Sequence, residues 1–303
     1  MISVHDLSKQ FNGVKALDGV TLHMEKGETF GLIGPNGAGK TTLIRILTGQ
    51  IAPNRGEIYL GEERIDARDT RYRRKVGLVP QEAAFYGRLT ARENLILLGL
   101  LYRMDKREIG VRADRLLAWA GLGEHAARQA RHFSRGMQQR LSLAMGLIHD
   151  PELIYLDEPT SGLDPAARGS LWELIHRLSE EGKSIFMTTH NMEEADHVCD
   201  RLAILVEGKV REEGTPERIK SLLGKDRIEL RLSEERNEDL EDISSKLGLN
   251  WRREGDLIVI TGSDLVGKMP EIMSGLAGVV RNLHYREVTL EDAFLRFMRE
   301  VKG

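Results

Sequence analysis

The sequence has few of the features that indicate a secreted or membrane-spanning protein. Only one of its 303 residues is a cysteine, Cys199, so no intrachain disulfide can form, and a reducing compartment such as the cytoplasm is favoured. The longest apolar run, from Leu95 to Tyr102, is far shorter than the roughly 20 residues that a membrane-spanning helix needs. The N-terminus lacks the charged start and apolar run of a secretory signal. A role at a membrane would therefore require a partner that spans it.

An excess of charge of one sign is also missing, since 44 basic and 47 acidic residues leave a formal net charge of -3. No overall positive field would gather a nucleic acid, so we expect no nucleic acid as a partner. The composition, 41% hydrophobic and 30% charged, is typical of a globular protein, and the length is sufficient for two domains. The single cysteine is then expected to be a small core residue.

The pattern of strand-like and helix-like segments predicts two domains. Residues 1–224 alternate between the two types, which predicts an α/β domain. Nearly continuous apolar runs at 29–33, 153–156 and 184–188 are typical of parallel strands buried on both faces. Between about 88 and 145 helical periodicity replaces the strand signals, which predicts a helical subdomain. Residues 225–303 predict a smaller α+β accessory domain whose element order fits a ferredoxin-like unit.

A glycine-rich segment follows the first of these apolar runs. Residues 34–41, GPNGAGKT, match the pattern G-x-x-x-x-G-K-[ST] between a predicted strand and a predicted helix. Glycines let backbone N–H groups surround phosphate oxygens, and the helix N-terminus adds a favourable dipole. We expect Lys40 to reach the β and γ phosphates and Thr41 to ligate Mg²⁺. The predicted nucleotide-binding residues of this loop are Gly34, Pro35, Asn36, Gly37, Ala38, Gly39, Lys40, Thr41 and Thr42.

Two carboxylates end the second apolar run, in the segment LIYLDEP at 153–159. Charged groups directly after a buried strand need a function or a partner. We expect Asp157 to hold the Mg²⁺ shell and Glu158 to polarise the attacking water, so that metal binding and base catalysis are divided between them.

With these motifs in this order, the chain resembles the nucleotide-binding subunits of ATP-binding cassette (ABC) transporters, which implies a P-loop NTPase fold. Further matches are Gln81 in VPQE, Asp164 in SGLD and His190 in TTH. The resemblance implies that Gln81 contacts Mg²⁺ and the attacking water and couples to a membrane partner. It also implies that Asp164 belongs to the D-loop at the nucleotide, that His190 is a catalytic switch histidine, and that Phe11 stacks on adenine.

The signature segment of the family, usually LSGGQ, appears here as FSRGM at 133–137. Ser134 and Gly136 are retained, and they provide a hydroxyl and an unobstructed backbone N–H at a helix start, where a γ-phosphate can bind. Arg135 replaces a glycine and adds charge near that phosphate, whereas Met137 replaces a glutamine and removes a polar contact.

The resemblance further implies a head-to-tail dimer, because in the family the signature of one subunit closes on ATP held by the P-loop of another. The partner is either a second copy or a related subunit. The closing segment VTLEDAFL at 288–295 is similar to ATPases of the ABC-2 type, which serve exporters. We therefore expect an ATPase that powers a transmembrane permease from the cytoplasmic face of the membrane. A final helix is predicted at 290–298, and for it simple packing and a regulatory or dimerising role both stay open.

Two other function classes compete with this interpretation. A soluble ABC ATPase of DNA repair or translation would usually carry two cassettes, a long coiled coil or a zinc module, and the sequence has one P-loop, one cysteine and no sustained heptads. A P-loop kinase or GTPase would need an acceptor site or a guanine-reading Asn-Lys-x-Asp, and that tetrapeptide is missing.

Overall fold

A computed structural model describes residues 1–222 and 226–295. The chain divides into two compact units, Met1–Pro216 and Glu217–Gly303. The boundary predicted between residues 224 and 225 lies outside the described residues, as does the end of the predicted final helix. Within the described ranges, no helix is both long enough and apolar enough to cross a membrane.

The first unit contains two sheets. One is an antiparallel sheet with the strand order β2-β1-β4-β5, and the other has the order β10-β9-β3-β8-β7-β6. The strands are β1 (Ile2–Phe11), β2 (Val14–Met24), β3 (Thr29–Ile33), β4 (Arg55–Leu60), β5 (Glu63–Ile65), β6 (Val76–Val79), β7 (Leu153–Asp157), β8 (Ser184–Thr189), β9 (Arg201–Val206) and β10 (Lys209–Gly214).

The second of these sheets forms the centre of the unit. Strands β9, β3, β8, β7 and β6 are parallel to one another, and only β10 pairs antiparallel, with β9. Every residue of β3, β7 and β8 is buried, as expected for parallel strands covered on both faces. Cys199 is also buried, which confirms its prediction as a core residue, and burial raises the pKa of its thiol.

Helices cover this sheet. The chain segment that connects β6 to β7 is also helical and forms a layer of its own. The segment between those strands contributes three α-helices and two short 3-10 turns with an apolar core of their own, which includes Leu95, Leu117 and Leu141. The helical subdomain predicted at about 88–145 falls in this segment. The helices of the unit are α1 (Lys40–Leu47), α2 (Thr70–Lys75), α3 (Ala91–Leu101), α4 (Lys106–Trp119), α5 (Arg135–Gly146), α6 (Pro165–Glu180) and α7 (Met192–Val198).

The second unit is an α+β structure. After α8 (Pro216–Ser221) come β11 (Arg227–Leu232), α9 (Asn237–Leu247), β12 (Asn250–Glu254), β13 (Leu257–Thr261), α10 (Leu265–Gly275) and β14 (Val280–Arg286). The strands form an antiparallel sheet in the order β12-β13-β11-β14, and its core includes Ile228, Leu230, Ile258 and Ile260. Residues 290–295 are helical, and the Thr289 hydroxyl caps them by accepting the Asp292 backbone N–H.

Candidate functional site

The candidate site lies at the carboxyl edge of the central sheet. The loops that follow the parallel strands β3, β7 and β8 leave the sheet at this edge, where open α/β sheets commonly bind ligands. They surround a cavity of about 580 Å³. Its lining residues are Ala16, Pro35, Asn36, Gly37, Ala38, Gly39, Lys40, Thr41, Thr42, Gln81, Glu158, Ser161 and His190.

The glycine-rich loop connects β3 to α1 and has a backbone that requires glycine at Gly39. This residue has φ of 110°, and a Cβ atom there would lie 2.4 Å from the carbonyl oxygen of Ala16. Gly39 is also the N-cap of α1 and supplies no side chain to bond the first N–H groups of the helix. Those donors are therefore available to an anion at the positive end of the helix dipole, which is what a phosphate requires.

Lys40 and Glu158 form a nearly buried ion pair at the floor of this cavity. Their side chains are 5% and 9% exposed, and Lys40 Nζ lies 3.2 Å from Glu158 Oε1. Lys40 Nζ also donates hydrogen bonds to the carbonyl oxygens of Gly34 at 2.8 Å and Pro35 at 3.2 Å. The lysine is thus held by the loop that would cradle the phosphates, with its charge balanced by the carboxylate.

Three side chains from different segments converge on the Glu158 carboxylate. His190 Nδ1 lies 3.0 Å from Oε2, Gln81 Nε2 donates to the same oxygen at 3.3 Å, and Lys40 approaches Oε1. The backbone of Glu158 is strained, with φ of 47° in a region that non-glycine residues rarely adopt. Its N–H donates to the backbone oxygen of Thr188 at 3.0 Å and to the Thr188 hydroxyl at 3.1 Å. Strand β8 therefore fixes the direction in which this carboxylate points.

Asp157 is held by two hydroxyls. Its Oδ1 accepts a hydrogen bond from Thr188 Oγ1 at 2.6 Å and a longer one from Thr41 Oγ1 at 3.4 Å. Thr41 and Asp157, with the side-chain amide oxygen of Gln81, bring together oxygen donors of the kind that Mg²⁺ prefers. Thr188 was not among the predicted site residues, because its contact with Asp157 joins two strands that are distant in sequence.

Comparison with known proteins identifies the family to which the chain belongs. Residues 17–161 match the family model described as ABC transporter. The daunorubicin resistance ATP-binding protein DrrA3 of Streptomyces coeruleorubidus is 36% identical over 302 residues, which cover 97% of this chain and 92% of that protein. The chain belongs to the ABC transporter ATP-binding proteins. The Nod factor export ATP-binding protein I of Rhizobium meliloti is 37% identical over 305 residues, covering 99% and 89% of the two chains.

Solved structures of ATP-binding cassettes support the assignment of this chain to the ABC ATPases. The dimeric post-hydrolysis ATP-binding cassette MJ0796, bound to ADP and Pi, has a TM-score of 0.65 and 30% identity, and the match covers 71% of this chain and 98% of that one. The predicted P-loop NTPase fold is confirmed. The chain is the nucleotide-binding subunit of an ABC transporter, which binds ATP and hydrolyses it to ADP and phosphate, as predicted.

Six predicted site residues of this ABC ATPase do not line the cavity: Phe11, Gly34, Ser134, Gly136, Asp157 and Asp164. Phe11 ends β1 with 46% of its surface exposed, and Lys9 Nζ lies 5.2 Å from its ring centre. Ser134 caps α5 by accepting the Met137 N–H at 3.3 Å. Asp164 caps α6 in the same way. A Cβ atom on Gly136 would lie 2.9 Å from Ala167 Cβ, so α5 starts close against α6.

Two other residues line the cavity although the sequence did not indicate them. Ala16 lies in β2, near the start of that strand, and its carbonyl oxygen is the atom that a side chain at position 39 would meet. Ser161 follows Glu158 in the loop that leads to Asp164. Only its place in the motif SGLD could have suggested it, because nothing in a lone serine predicts contact with a nucleotide.

Proposed function

We propose that this ABC ATPase is the motor subunit of an exporter, in which two copies of the chain hold two ATP molecules and drive a separate transmembrane permease. Relatives named for daunorubicin resistance and Nod factor export support the exporter class. A dimeric cassette among the similar structures supports the dimer. The proposal rests mainly on one observation: one cavity brings the glycine-rich loop together with Lys40, Gln81, Glu158 and His190.

Each ATP would be held between one copy and its neighbour. Residues 34–42 would bind the phosphates through backbone N–H groups and Lys40, with Phe11 against the adenine. A second copy would contribute Ser134, Gly136 and Asp164, which lie away from the cavity in their own chain. One chain carries both halves, so a homodimer satisfies both sites; a related ATPase is the alternative partner.

Mg²⁺ would be held by oxygens of Thr41, Asp157 and Gln81. The described residues contain no cluster of three or more His, Cys, Asp or Glu that could hold a metal alone. Few protein ligands suit Mg²⁺ at an ATP site, because the ion also binds the phosphates and water. When bound, the ion would neutralise charge on the phosphates.

Glu158 would act as the general base. A water proton would pass to its carboxylate while the water oxygen forms a bond to the γ-phosphorus and the bond from that phosphorus to the ADP oxygen breaks. Gln81 and His190, both bonded to Oε2, would orient the carboxylate and the water. The strained backbone of Glu158 keeps the side chain directed into the cavity at the cost of local stability.

The permease would bring the protein to the cytoplasmic face of the membrane. Residues 1–224 would then form the ABC domain and 225–303 an accessory domain. We propose a ferredoxin-like topology for the latter, on the basis of its element order and its sheet order β12-β13-β11-β14.

The substitution Glu158→Gln tests the mechanism. It keeps the shape of the side chain and removes the base, so we expect turnover to fall by about 100-fold or more while ATP still binds. The ATP-bound dimer should accumulate, as measured by light scattering after gel filtration with Mg²⁺-ATP. Glu152→Gln, at the exposed opposite end of β7, is the matched control and should behave as wild type. Undiminished hydrolysis in Glu158→Gln would exclude Glu158 as the base.

A further inference from the structure

Glu194 is a buried acid that the proposed mechanism does not use. It lies on α7, four residues after His190, and its surface is 0% exposed. The start of α7 is fixed by Asn191, whose side-chain oxygen accepts the backbone N–H groups of Glu193 and Glu194 at 2.9 and 3.3 Å. The position of Glu194 is therefore tied rigidly to the segment that carries His190.

The Glu194 carboxyl group contacts three segments around the site. Its Oε1 accepts a hydrogen bond at 3.3 Å from the indole N–H of Trp172 on α6, the helix that follows Asp164. The hydroxyls of Thr189 and Thr160 lie beside the carboxyl group, next to His190 and two residues after Glu158 respectively. Burial raises the pKa of Glu194, and these three donors, together with the charge of Arg168, oppose part of the rise.

Packing alone does not account for an acid at this position. Among the described residues, Glu194 Oε2 has no hydrogen-bond partner of ordinary geometry, and an unpaired buried polar atom is destabilising. An apolar side chain of similar size would avoid that cost. Retention of an unfavourable polar group beside a reaction site is the pattern expected of a residue with a functional role.

We propose that Glu194 is a positioning residue for ATP hydrolysis: it joins α6 and the loop after Glu158 to the segment that carries His190, and so holds His190 against the Glu158 carboxylate. The inference deepens the proposed function and rests on the role given there to His190. Displacement of a catalytic contact by about 1 Å is sufficient to reduce turnover on the order of 100-fold.

Glu194→Leu and Glu194→Gln separate the polar contacts from the volume of the side chain. Leucine fills the space without accepting the Trp172 N–H, so we expect kcat to fall by about 10- to 100-fold with KM for Mg²⁺-ATP changed by less than about 3-fold. Glutamine keeps the acceptor and should retain kcat within about 3-fold. Glu173→Leu, on the exposed side of α6 next to Trp172, is the control and should leave both constants unchanged.

A double-mutant cycle with His190→Ala tests whether Glu194 acts through His190. In the His190→Ala background, Glu194→Leu should lower the remaining turnover by less than about 3-fold, because the contact it supports is already gone. Trp172→Phe keeps an aromatic ring at this position but removes the indole N–H, together with part of the ring that stacks on His197. It should show the same dependence on His190, and it replaces Glu194→Leu in the cycle if that variant does not fold.

The outcomes separate this inference from the proposed function. Full turnover in Glu194→Leu would overturn the inference and leave the proposed function standing. The same conclusion would follow if Glu194→Leu lowered turnover by the same factor with and without His190. Full turnover in His190→Ala alone would contradict the role proposed for His190 and overturn the inference, while the role of Glu158 as the base would still be decided by Glu158→Gln. Reduced kcat that depends on His190, with rescue by glutamine, would support the inference.

Discussion

The carboxyl edge of the central sheet and the signature segment differ in how complete they are within one chain. At the sheet edge, side chains from three separate segments meet around Glu158, with contacts of 3.0 to 3.3 Å from His190, Lys40 and Gln81. In the signature segment, Ser134 and Gly136 lie at the start of α5 and do not line the cavity. The first region is assembled by the fold of one chain, whereas the second would meet a nucleotide only in the dimer proposed above.

This difference predicts the order of binding and hydrolysis. A site that is complete for binding but lacks its second set of phosphate donors should bind ATP before it can hydrolyse ATP efficiently. Substitutions at the sheet edge should therefore affect binding or chemistry in each copy, and substitutions in the signature segment should affect only the assembled dimer.

The largest effect on binding is expected for Lys40→Ala. The variant removes a buried cation whose hydrogen bonds to phosphate oxygens would be charge-assisted, so ATP affinity should fall by roughly 100-fold. Titration calorimetry with Mg²⁺-ATP measures the loss, and Lys26→Ala, at an exposed turn, serves as the control. Unchanged affinity would mean that the phosphates do not bind at the glycine-rich loop.

A smaller effect, confined to turnover, is expected for Ser134→Asp. Aspartate caps a helix as well as serine does, so α5 should keep its stability, while its charge would repel the phosphate of a neighbouring ATP. We expect hydrolysis to fall by about 10- to 100-fold with ATP affinity of the isolated chain within about 3-fold. Thermal unfolding of the variant checks that the cap is retained.

Mixing the two variants sharpens the comparison. In a head-to-tail dimer of one Lys40→Ala and one Ser134→Asp chain, one site combines the intact loop with the intact signature. Random pairing at equal concentrations should restore up to about a quarter of wild-type turnover. If the mixture is no more active than the separate variants, the two regions do not act across a dimer.

The smallest effect is expected for Met137→Gln, which restores the usual family residue. Met137 packs against the apolar core of the helical subdomain, so the glutamine should lower the free energy of unfolding by about 1 kcal/mol and change turnover by less than about 3-fold. Urea unfolding measures the stability, with Met137→Leu as the volume-conserving control. A marked rise in turnover would instead show that position 137 limits catalysis.

Local patterns in the sequence predicted the fold class correctly, and they indicated most of the residues that line the cavity, for a physical reason. The loop at 34–41 and the carboxylates at 157–158 each lie next to a buried strand, so the strand and the chemistry are encoded together within a few residues. The parallel pairing of β3, β8 and β7 then brings these segments to one edge.

Other features depend on contacts between distant parts of the chain and could not be predicted. Thr188 was seen only as part of an apolar strand, yet it bonds both Asp157 and the Glu158 backbone. Glu194 was not among the predicted site residues, because its burial against Trp172 follows from the packing of α7 on α6. The partial burial of Met137 likewise depends on the helical subdomain as a whole.

The left-handed backbone at Glu158 has a consequence for inactive variants of this protein. Glycine and asparagine tolerate that conformation better than glutamate does, so Glu158→Gly and Glu158→Asn should relieve strain while removing the proposed base. Loss of activity at this position would then leave a folded protein that still pairs with intact copies. Such variants would be dominant-negative in the cell, because each inactive chain would occupy a dimer with an intact one. Since they would fold, they would not be eliminated by degradation of unfolded protein.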